Sequence, residues 1–250
     1  MSEEIKICID RILPQDMHEE AREIAIAENT ENNIIESRYE DLPEEIAILT
    51  GKKWGKGRTL RVRFLDGVPD VQKRVEHYAH EWEKYANIKF IFGNDPDAEI
   101  RISFKHDRGS WSYIGTDCLS IPKTEPTMNF GWLKSDTPDD EYSRVVLHEF
   151  GHALGCIHEH QNPAANIPWD KEAVYRVFMG PPNNWTKEQI DQNIFKRYSK
   201  TETNFTQFDK NSIMLYAIPN TLTIGDFEVG SNRVLSNMDK EFMKEIYPEK

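Results

Sequence analysis

The sequence predicts an α+β fold built on a mixed β-sheet with helices packed against it. Two observations support this prediction. Strand-like alternation and an amphipathic helix occur in the order strand, helix, strand, strand, which is typical of a mixed sheet with a helix across one face. The chain has 250 residues, of which 38% are hydrophobic, and this suffices for one large domain or two modest lobes.

The first 51 residues differ in character from the rest of the chain. Apolar residues that include Met17, Ala21 and Ile24 share one face of a predicted helix over residues 14–28. A polar and acidic stretch, residues 29–45, follows this helix. We therefore predict that residues 1–51 form an accessory segment and that residues 52–250 form the main domain.

Within the main domain, each element is predicted from the spacing of its apolar residues. Alternation predicts strands at 60–64, 88–92 and 99–104, and three- and four-residue spacing predicts a helix from Pro69 onward to Tyr85. A short strand-like piece, residues 127–133, begins at Thr127 and ends at Leu133 within the loop-rich stretch 105–138. Further helices are predicted at 139–154, where Gly155 ends the helix, at 170–178, from Thr186 with a capping box to Gln189, and from Ser236 to the residues before Pro248.

Charge and cysteine content exclude several classes of protein. The formal net charge of −12 disfavours nucleic-acid binding, because an anionic surface repels phosphate backbones. Three scattered cysteines are too few for a disulfide framework.

No apolar run reaches the roughly 18 residues of a membrane helix. No secretory signal is visible at residues 1–20, so we expect a cytoplasmic protein or one exported by a non-classical route.

The strongest signal for chemistry lies at residues 148–158, which match the spacing H-E-x-x-H-x-x-G-x-x-H. His148 and His152 are four residues apart and therefore share one face of a helix, so both imidazoles can reach one zinc ion. Gly155 permits the abrupt helix end after which His158 can return as the third ligand. Surface histidines, or a structural metal site, are the alternatives. A structural zinc site usually has four ligands that include cysteines.

Glu149 is predicted to be the general base. It is displaced around the helix from both histidines, so its carboxylate is placed to contact a water molecule rather than the metal. Zinc with three neutral ligands keeps one open position and lowers the pKa of water from about 15.7 towards about 7. Glu149 would accept the proton and pass it to the leaving amine.

The zinc motif resembles that of the metzincin clan of metallopeptidases, and Ser212-Ile213-Met214-Leu215-Tyr216 resembles the methionine turn of that clan. Within the clan the chain is most similar to the astacin-type family, because residues 109–115 resemble a segment before its edge strand and Tyr216 lies two residues after Met214. This resemblance implies that Tyr216 is a hinged zinc ligand that stabilises the oxyanion. The alternative role for Tyr216 is that of a core residue.

The resemblance also implies a metzincin-like fold. A twisted mixed sheet with two long helices would form the upper lobe (52–155), a smaller irregular and helical part the lower lobe (156–250), and the active-site cleft would lie between them. A substrate peptide would add to an antiparallel edge strand, for which Thr127 to Leu133 is the predicted candidate. The chain departs from typical astacins in lacking their paired cysteines.

Two features of the chain carry weaker predictions. Clan members can be held latent by an N-terminal Cys or Asp at the zinc position, and Cys8 and Asp10 are candidates in a pro-like segment 1–51. Simple packing of this segment against the domain is the alternative. His160 is expected at the surface.

Calcium is a further, unsupported possibility at two acidic pairs, for which solvated loops are the simpler interpretation. The pairs are Asp95 with Asp97 and Asp139 with Asp140.

The predicted function is that of a zinc-dependent endopeptidase. Its metal ligands would be His148, His152 and His158, and its catalytic residues would be Glu149 and Tyr216. Its partner would be a protein or peptide substrate, and the oligomeric state is left open. Two alternatives remain at this point: a catalytically silent zinc-fold module that binds protein strands, and an amide hydrolase with a non-protein substrate.

Overall fold

The computed structural model describes residues 8–9, 11–33, 48–49, 51–106, 108–181, 183–198, 203–204 and 207–249. The helices in this part of the chain are α1 (His18–Glu28), α2 (Pro69–Ala79), α3 (Asp139–Ala153), α4 (Lys171–Phe178), α5 (Lys187–Ile190) and α6 (Asn237–Ile246). The strands are β1 (Ile48–Leu49), β2 (Thr59–Phe64), β3 (Lys89–Phe92), β4 (Ile100–Ser103), β5 (Trp111–Ser112), β6 (Met128–Asn129) and β7 (Thr203–Asn204).

Five of the strands form one mixed sheet in the order β3-β2-β4-β6-β5. The pairs β2–β3, β2–β4 and β4–β6 are parallel, and β5 pairs with β6 in the antiparallel direction. Val62 of β2 lies opposite Ile100 of β4, and both are buried. The predicted mixed sheet and α+β class are confirmed. A separate pair, β1 with β7, is antiparallel.

The predicted substrate edge at Thr127 to Leu133 is wrong. The strand in that stretch is β6, which lies between β4 and β5 and hydrogen-bonds to both. The outermost strand on this side of the sheet is β5, a two-residue strand that the alternation of apolar residues did not reveal. It has only two residues and is flanked by polar and glycine residues. A strand this short shows no alternation of apolar and polar residues in the sequence.

The helices pack one apolar face each on the core. α2 buries Val71, Val75 and Ala79, as its spacing predicts, but it ends at Ala79. A 3₁₀ turn over Trp82–Lys84 then turns the chain into β3. Trp82 is fully buried, and its indole Nε1 donates to the backbone carbonyl of Leu147 in α3 at 3.0 Å. The core therefore joins α3 directly to the rest of the upper lobe.

The N-terminal part of the chain folds against the domain. The predicted helix at 14–28 is present as a 3₁₀ turn over Gln15–Met17 followed by α1, which buries Ala21 and Ala25. Glu28 at its end receives a hydrogen bond from Arg58 Nε at 3.0 Å. Cys8 and Arg11 bridge in parallel to Ser110 and Tyr113, which flank β5. Asp10 lies outside the described residues, and the domain boundary near residue 51 stays a prediction.

The three cysteines are buried thiols, and none of them forms a disulfide bond. Cys118 and Cys156 lie in the main core. Burial raises the pKa of the Cys118 thiol to about 12 and raises that of Cys156 well above its usual range. Among the described residues, no helix is long and apolar enough to cross a membrane.

Candidate active site

The helix α3 positions the first two histidines. It begins after Pro138 with three acidic residues in its first turn, which favour the positive end of the helix dipole. It ends as predicted: Gly155 has φ +105°, a left-handed conformation that favours glycine. Two side chains from elsewhere bind its last carbonyls. Trp54 Nε1 donates to Ala153 O at 2.7 Å, and the Tyr247 hydroxyl donates to Leu154 O at 2.7 Å.

Backbone carbonyls orient both helical histidines. His148 Nδ1 lies 2.8 Å from the carbonyl oxygen of Ile213, and His152 Nδ1 lies 2.8 Å from that of Cys156. Each ring therefore carries its proton on Nδ1 and turns Nε2 towards the centre of the site. His148 Nε2 is buried and has no hydrogen-bond partner among the described residues, as expected of a nitrogen that faces a metal.

His158 completes a cluster of three buried histidines. Its Nε2 lies 3.1 Å from His152 Nε2. Burial, reinforced by the neighbouring imidazoles, holds the pKa of His148 and that of His158 well below the usual value. Both rings are therefore neutral at neutral pH, which is the form that binds metal. Three imidazoles on one centre are the donor set of a catalytic zinc site.

A fourth donor at this centre comes from the N-terminal segment. One ligand atom each from Cys8, His148, His152 and His158 all lie within 4.8 Å of one another. Cys8 is 4% exposed, and its Sγ donates to Glu149 Oε2 at 3.2 Å. The thiol thus occupies the space between the histidine cluster and the predicted general base.

Tyr216 lies beside the cluster, as its place in the sequence predicted. Its hydroxyl oxygen is 2.5 Å from His158 Nε2 and donates to the backbone carbonyl of Cys8 at 2.7 Å. Its ring packs against three histidine rings, with centroid distances of 5.7 Å to His148, 4.4 Å to His158 and 4.9 Å to His160. The phenol is therefore within reach of any group that replaces Cys8 at the centre.

Beneath the cluster, the segment Ser212-Ile213-Met214 forms the predicted turn. Met214 is fully buried, and a Cβ at Gly151 of α3 would lie 2.4 Å from its Sδ. The Met214 carbonyl accepts a hydrogen bond from the backbone N–H of Glu159 at 3.0 Å. The turn therefore contacts α3 and also the segment that carries His158.

Two residues that follow the third histidine are deeply buried, and the prediction that His160 lies at the surface is wrong. His160 is 2% exposed, not at the surface, and its Nε2 lies 2.8 Å from the carbonyl of Asn193. Glu159 is fully buried, and burial raises its pKa well above the usual range. It accepts hydrogen bonds from Asn162 and from the backbone of Asp209. The position of these residues next to a metal ligand in the sequence did not indicate how deeply their side chains are buried.

Three of the four acidic residues considered for calcium bind arginines instead. Asp95 pairs with Arg61 at 3.0 Å, Asp139 with Arg74 at 2.6 Å, and Asp140 with Arg233 at 2.6 Å. Among the described residues, the cluster of Cys8 with the three histidines is the one group that could hold a metal ion. Calcium therefore gains no support.

Comparisons with known proteins agree with this geometry. The model of the astacin family of peptidases matches residues 48–248. The chain belongs to the astacin family. The match confirms the predicted resemblance and, together with the histidine cluster, the zinc cofactor and the metallopeptidase class. The part of the chain before residue 48 lies outside the matched region.

Solved structures and a curated relative give the range of similarity. One structure of myroilysin is 48% identical, covers 82% of this chain and 99% of its own, and has a TM-score of 0.80. A second structure of myroilysin is 42% identical, covers 97% of this chain and 100% of its own, and has a TM-score of 0.64. The hatching enzyme zinc-protease HCE-1 of the medaka fish Oryzias latipes is 18% identical over 79% of this chain and 95% of its own (TM-score 0.56) and supports the fold alone.

The zinc metalloproteinase dpy-31 of Teladorsagia circumcincta is 22% identical over 78% of this chain. The chain spans 31% of the length of this curated relative, so the similarity concerns one part of a longer protein.

Proposed function

We propose that this chain is a zinc-dependent endopeptidase that cleaves protein or peptide substrates at the centre formed by His148, His152 and His158. One observation carries the proposal. Three buried histidines converge with their Nε2 atoms, and Glu149, from the same helix turn, directs Oε2 at the group that fills the remaining donor position. A site that only bound metal would not need a carboxylate at that place.

The proposed chemistry assigns a role to each side chain. Zinc, when bound, supplies a Lewis acid that polarises the scissile carbonyl and makes water more acidic. Glu149 takes a proton from the attacking water and delivers it to the nitrogen of the leaving amine. The Tyr216 hydroxyl donates a hydrogen bond to the oxygen on which negative charge develops.

We propose further that an extended substrate binds along β5. This strand is the outermost strand of the sheet on the side of the site, and its flanking residues Ser110 and Tyr113 pair with Cys8 and Arg11. Ile9 N–H donates to Ser110 O at 3.1 Å, so the edge offers main-chain hydrogen bonds to a strand laid beside it. Main-chain pairing of this kind gives affinity with little demand on side chains.

Substitution of Glu149 by Gln tests the assignment. We expect Glu149→Gln, made together with Cys8→Ser, to retain zinc and to lose cleavage of an unfolded protein by about 10²–10⁴-fold, because the amide cannot accept the proton. Asp140→Asn, on the exposed face of the same helix and also made together with Cys8→Ser, is the control. It should cleave at the rate of the Cys8→Ser chain. Zinc bound with no turnover of any peptide would instead favour a binding module. Turnover of non-protein amides alone would favour an amide hydrolase.

We also propose that the N-terminal segment holds the enzyme latent through Cys8, Ile9 and Arg11. The Cys8 thiol takes the fourth donor position, and the Cys8 carbonyl binds the hydroxyl of Tyr216. The Arg11 guanidinium stacks on the ring of Trp111 at 4.3 Å, which fixes the segment on β5. Substrate and segment would compete for one donor position and one strand edge.

Mutation of Cys8 separates latency from mere packing. We expect Cys8→Ser to raise cleavage by about tenfold or more, since a tethered ligand competes at about millimolar effective concentration. Ile12→Ala changes a side chain that is 42% exposed in the same segment and should leave cleavage unchanged. Equal activity of Cys8→Ser and the wild-type chain would show that the segment only packs.

A further inference from the structure

A buried carboxylate outside the histidine cluster holds the turn on which the cluster rests. Asp239 of α6 is 2% exposed. Its Oδ1 accepts a hydrogen bond from Ser212 Oγ at 2.8 Å, and its Oδ2 accepts one from the backbone N–H of Ile213 at 2.9 Å. Ser212 Oγ in turn accepts a hydrogen bond from the N–H of Met214 at 3.1 Å. One side chain therefore fixes three consecutive residues of the turn.

The carbonyl groups of this turn reach the metal ligands. Ile213 O accepts the hydrogen bond that orients His148, at 2.8 Å. Met214 O accepts the backbone N–H of Glu159, the residue that follows His158, at 3.0 Å. A shift of the turn would thus move the acceptor of one ligand and the backbone next to another.

We propose that Asp239 is a positioning residue of the metal site, because it holds residues 212–214 so that their carbonyls orient His148 and the segment of His158. Partners that orient a metal-bound imidazole from outside typically change metal affinity by about 10- to 100-fold. The inference rests on the proposed zinc site and not on the proposed cleavage activity.

Asp239 also has a role that is only structural, and the test must separate the two. It is the third residue of the capping box of α6: its Oδ2 accepts from Ser236 N–H at 2.8 Å, and its own N–H donates to Ser236 Oγ at 2.9 Å. Ser236→Ala weakens this cap and leaves the carboxylate on Ser212 and Ile213. It is therefore the matched control.

The experiment compares full-length wild-type, Asp239→Asn and Ser236→Ala chains loaded with zinc. The rate of zinc transfer to a coloured chelator is measured, together with the urea unfolding midpoint of each metal-free chain. We expect Asp239→Asn to release zinc about 10- to 100-fold faster than the wild-type chain, and Ser236→Ala to release it within about twofold of the wild-type rate despite its weakened helix cap. Release rates that merely follow the unfolding midpoints, or a wild-type rate in Asp239→Asn, would overturn the proposal.

A milder variant covers the case in which Asp239→Asn does not fold. Ser212→Ala removes one of the two contacts to the turn and keeps the cap of α6 intact. It should release zinc faster than Ser236→Ala does, and an equal rate would contradict the proposal. Because no substrate enters these measurements, a chain that cleaves nothing can still support or refute the role of Asp239.

Discussion

Gly151 of the zinc motif leaves no room for a side chain. A methyl group there would lie 2.4 Å from the sulfur of Met214 and 3.3 Å from the ring of Trp82. Both neighbours are buried in the core and cannot move aside without disturbing their own contacts. The identity of this residue is therefore set by the close approach of the methionine turn to α3.

We expect Gly151→Ala to lower the free energy of unfolding by about 1–3 kcal/mol, the usual cost of overpacking a core. Urea unfolding of the metal-free chain measures this change. Gly230→Ala is the control, because no atom lies within 4 Å of its added methyl group. Equal stability of the two variants would show that the Met214 side chain can move away from the added methyl group without loss of stability.

Cys118 gives the chain a predictable response to alkali. Its pKa is about 12 in the folded state, because the thiol is fully buried, against an ordinary value of 9.0. As pH rises above 9, the unfolded chain loses this proton and the folded chain keeps it. Each such group therefore lowers the free energy of unfolding by about 1.4 kcal/mol per pH unit between those two pKa values.

We expect Cys118→Ala to lose stability less steeply than the wild-type chain between pH 9 and pH 11, with a difference in slope of about 1.4 kcal/mol per pH unit. Urea unfolding at pH 8, 9, 10 and 11 gives both slopes. The substitution itself lowers stability at every pH because it leaves a small cavity, so the slopes and not the absolute values are compared. Parallel curves would contradict the buried neutral thiol.

At the scale of elements, α3 depends on partners that cap its C-terminal end. The Trp54 indole and the Tyr247 hydroxyl donate to the carbonyls of Ala153 and Leu154. The backbone N–H of Trp54 donates to the Tyr247 hydroxyl at 3.2 Å. Trp54 comes from the first residues of the domain and Tyr247 from its last. The chain between His152 and His158 is thus held by the two ends of the domain.

Tyr247→Phe should lower the free energy of unfolding by about 1–3 kcal/mol, because it leaves the buried carbonyl of Leu154 without a donor. Trp54→Phe should have an effect of similar size through the carbonyl of Ala153. We expect the double variant to lose less than the sum of the two, since both side chains cap adjacent carbonyls at one helix end and the Tyr247 hydroxyl also accepts the backbone N–H of Trp54. Chemical unfolding of the four chains forms the cycle, and strict additivity would show that the two caps act independently.

The helices and long strands were predictable from the sequence because their apolar spacing spans enough residues to be seen. The zinc motif was predictable because its residues lie within one helix and the turn after it. The edge strand β5 was not, since two residues show no period. The role of Asp239 was not predictable, because its contact with Ile213 joins residues 26 apart in the chain. Local patterns do not encode such contacts.

At the scale of the whole molecule, the N-terminal segment and the domain form one connected unit around the site. Cys8 reaches Glu149 across 141 positions of sequence, and α1 contacts the domain through Glu28 and Arg58. Under the proposed latency, departure of this segment would open the site to substrate.

The net charge of −12 is expected to favour the binding of basic substrates mildly, and this preference should weaken in high salt.

Zinc titration of the Cys8→Ser chain tests the central claim most directly. The metal-free chain is prepared with a chelator, and cleavage of an unfolded protein is followed as zinc is returned. The account predicts that cleavage is lost without metal and rises to a plateau at one zinc per chain, because one cluster of three histidines binds the ion. Cleavage by the metal-free chain, or none after one equivalent of zinc is bound, would contradict it.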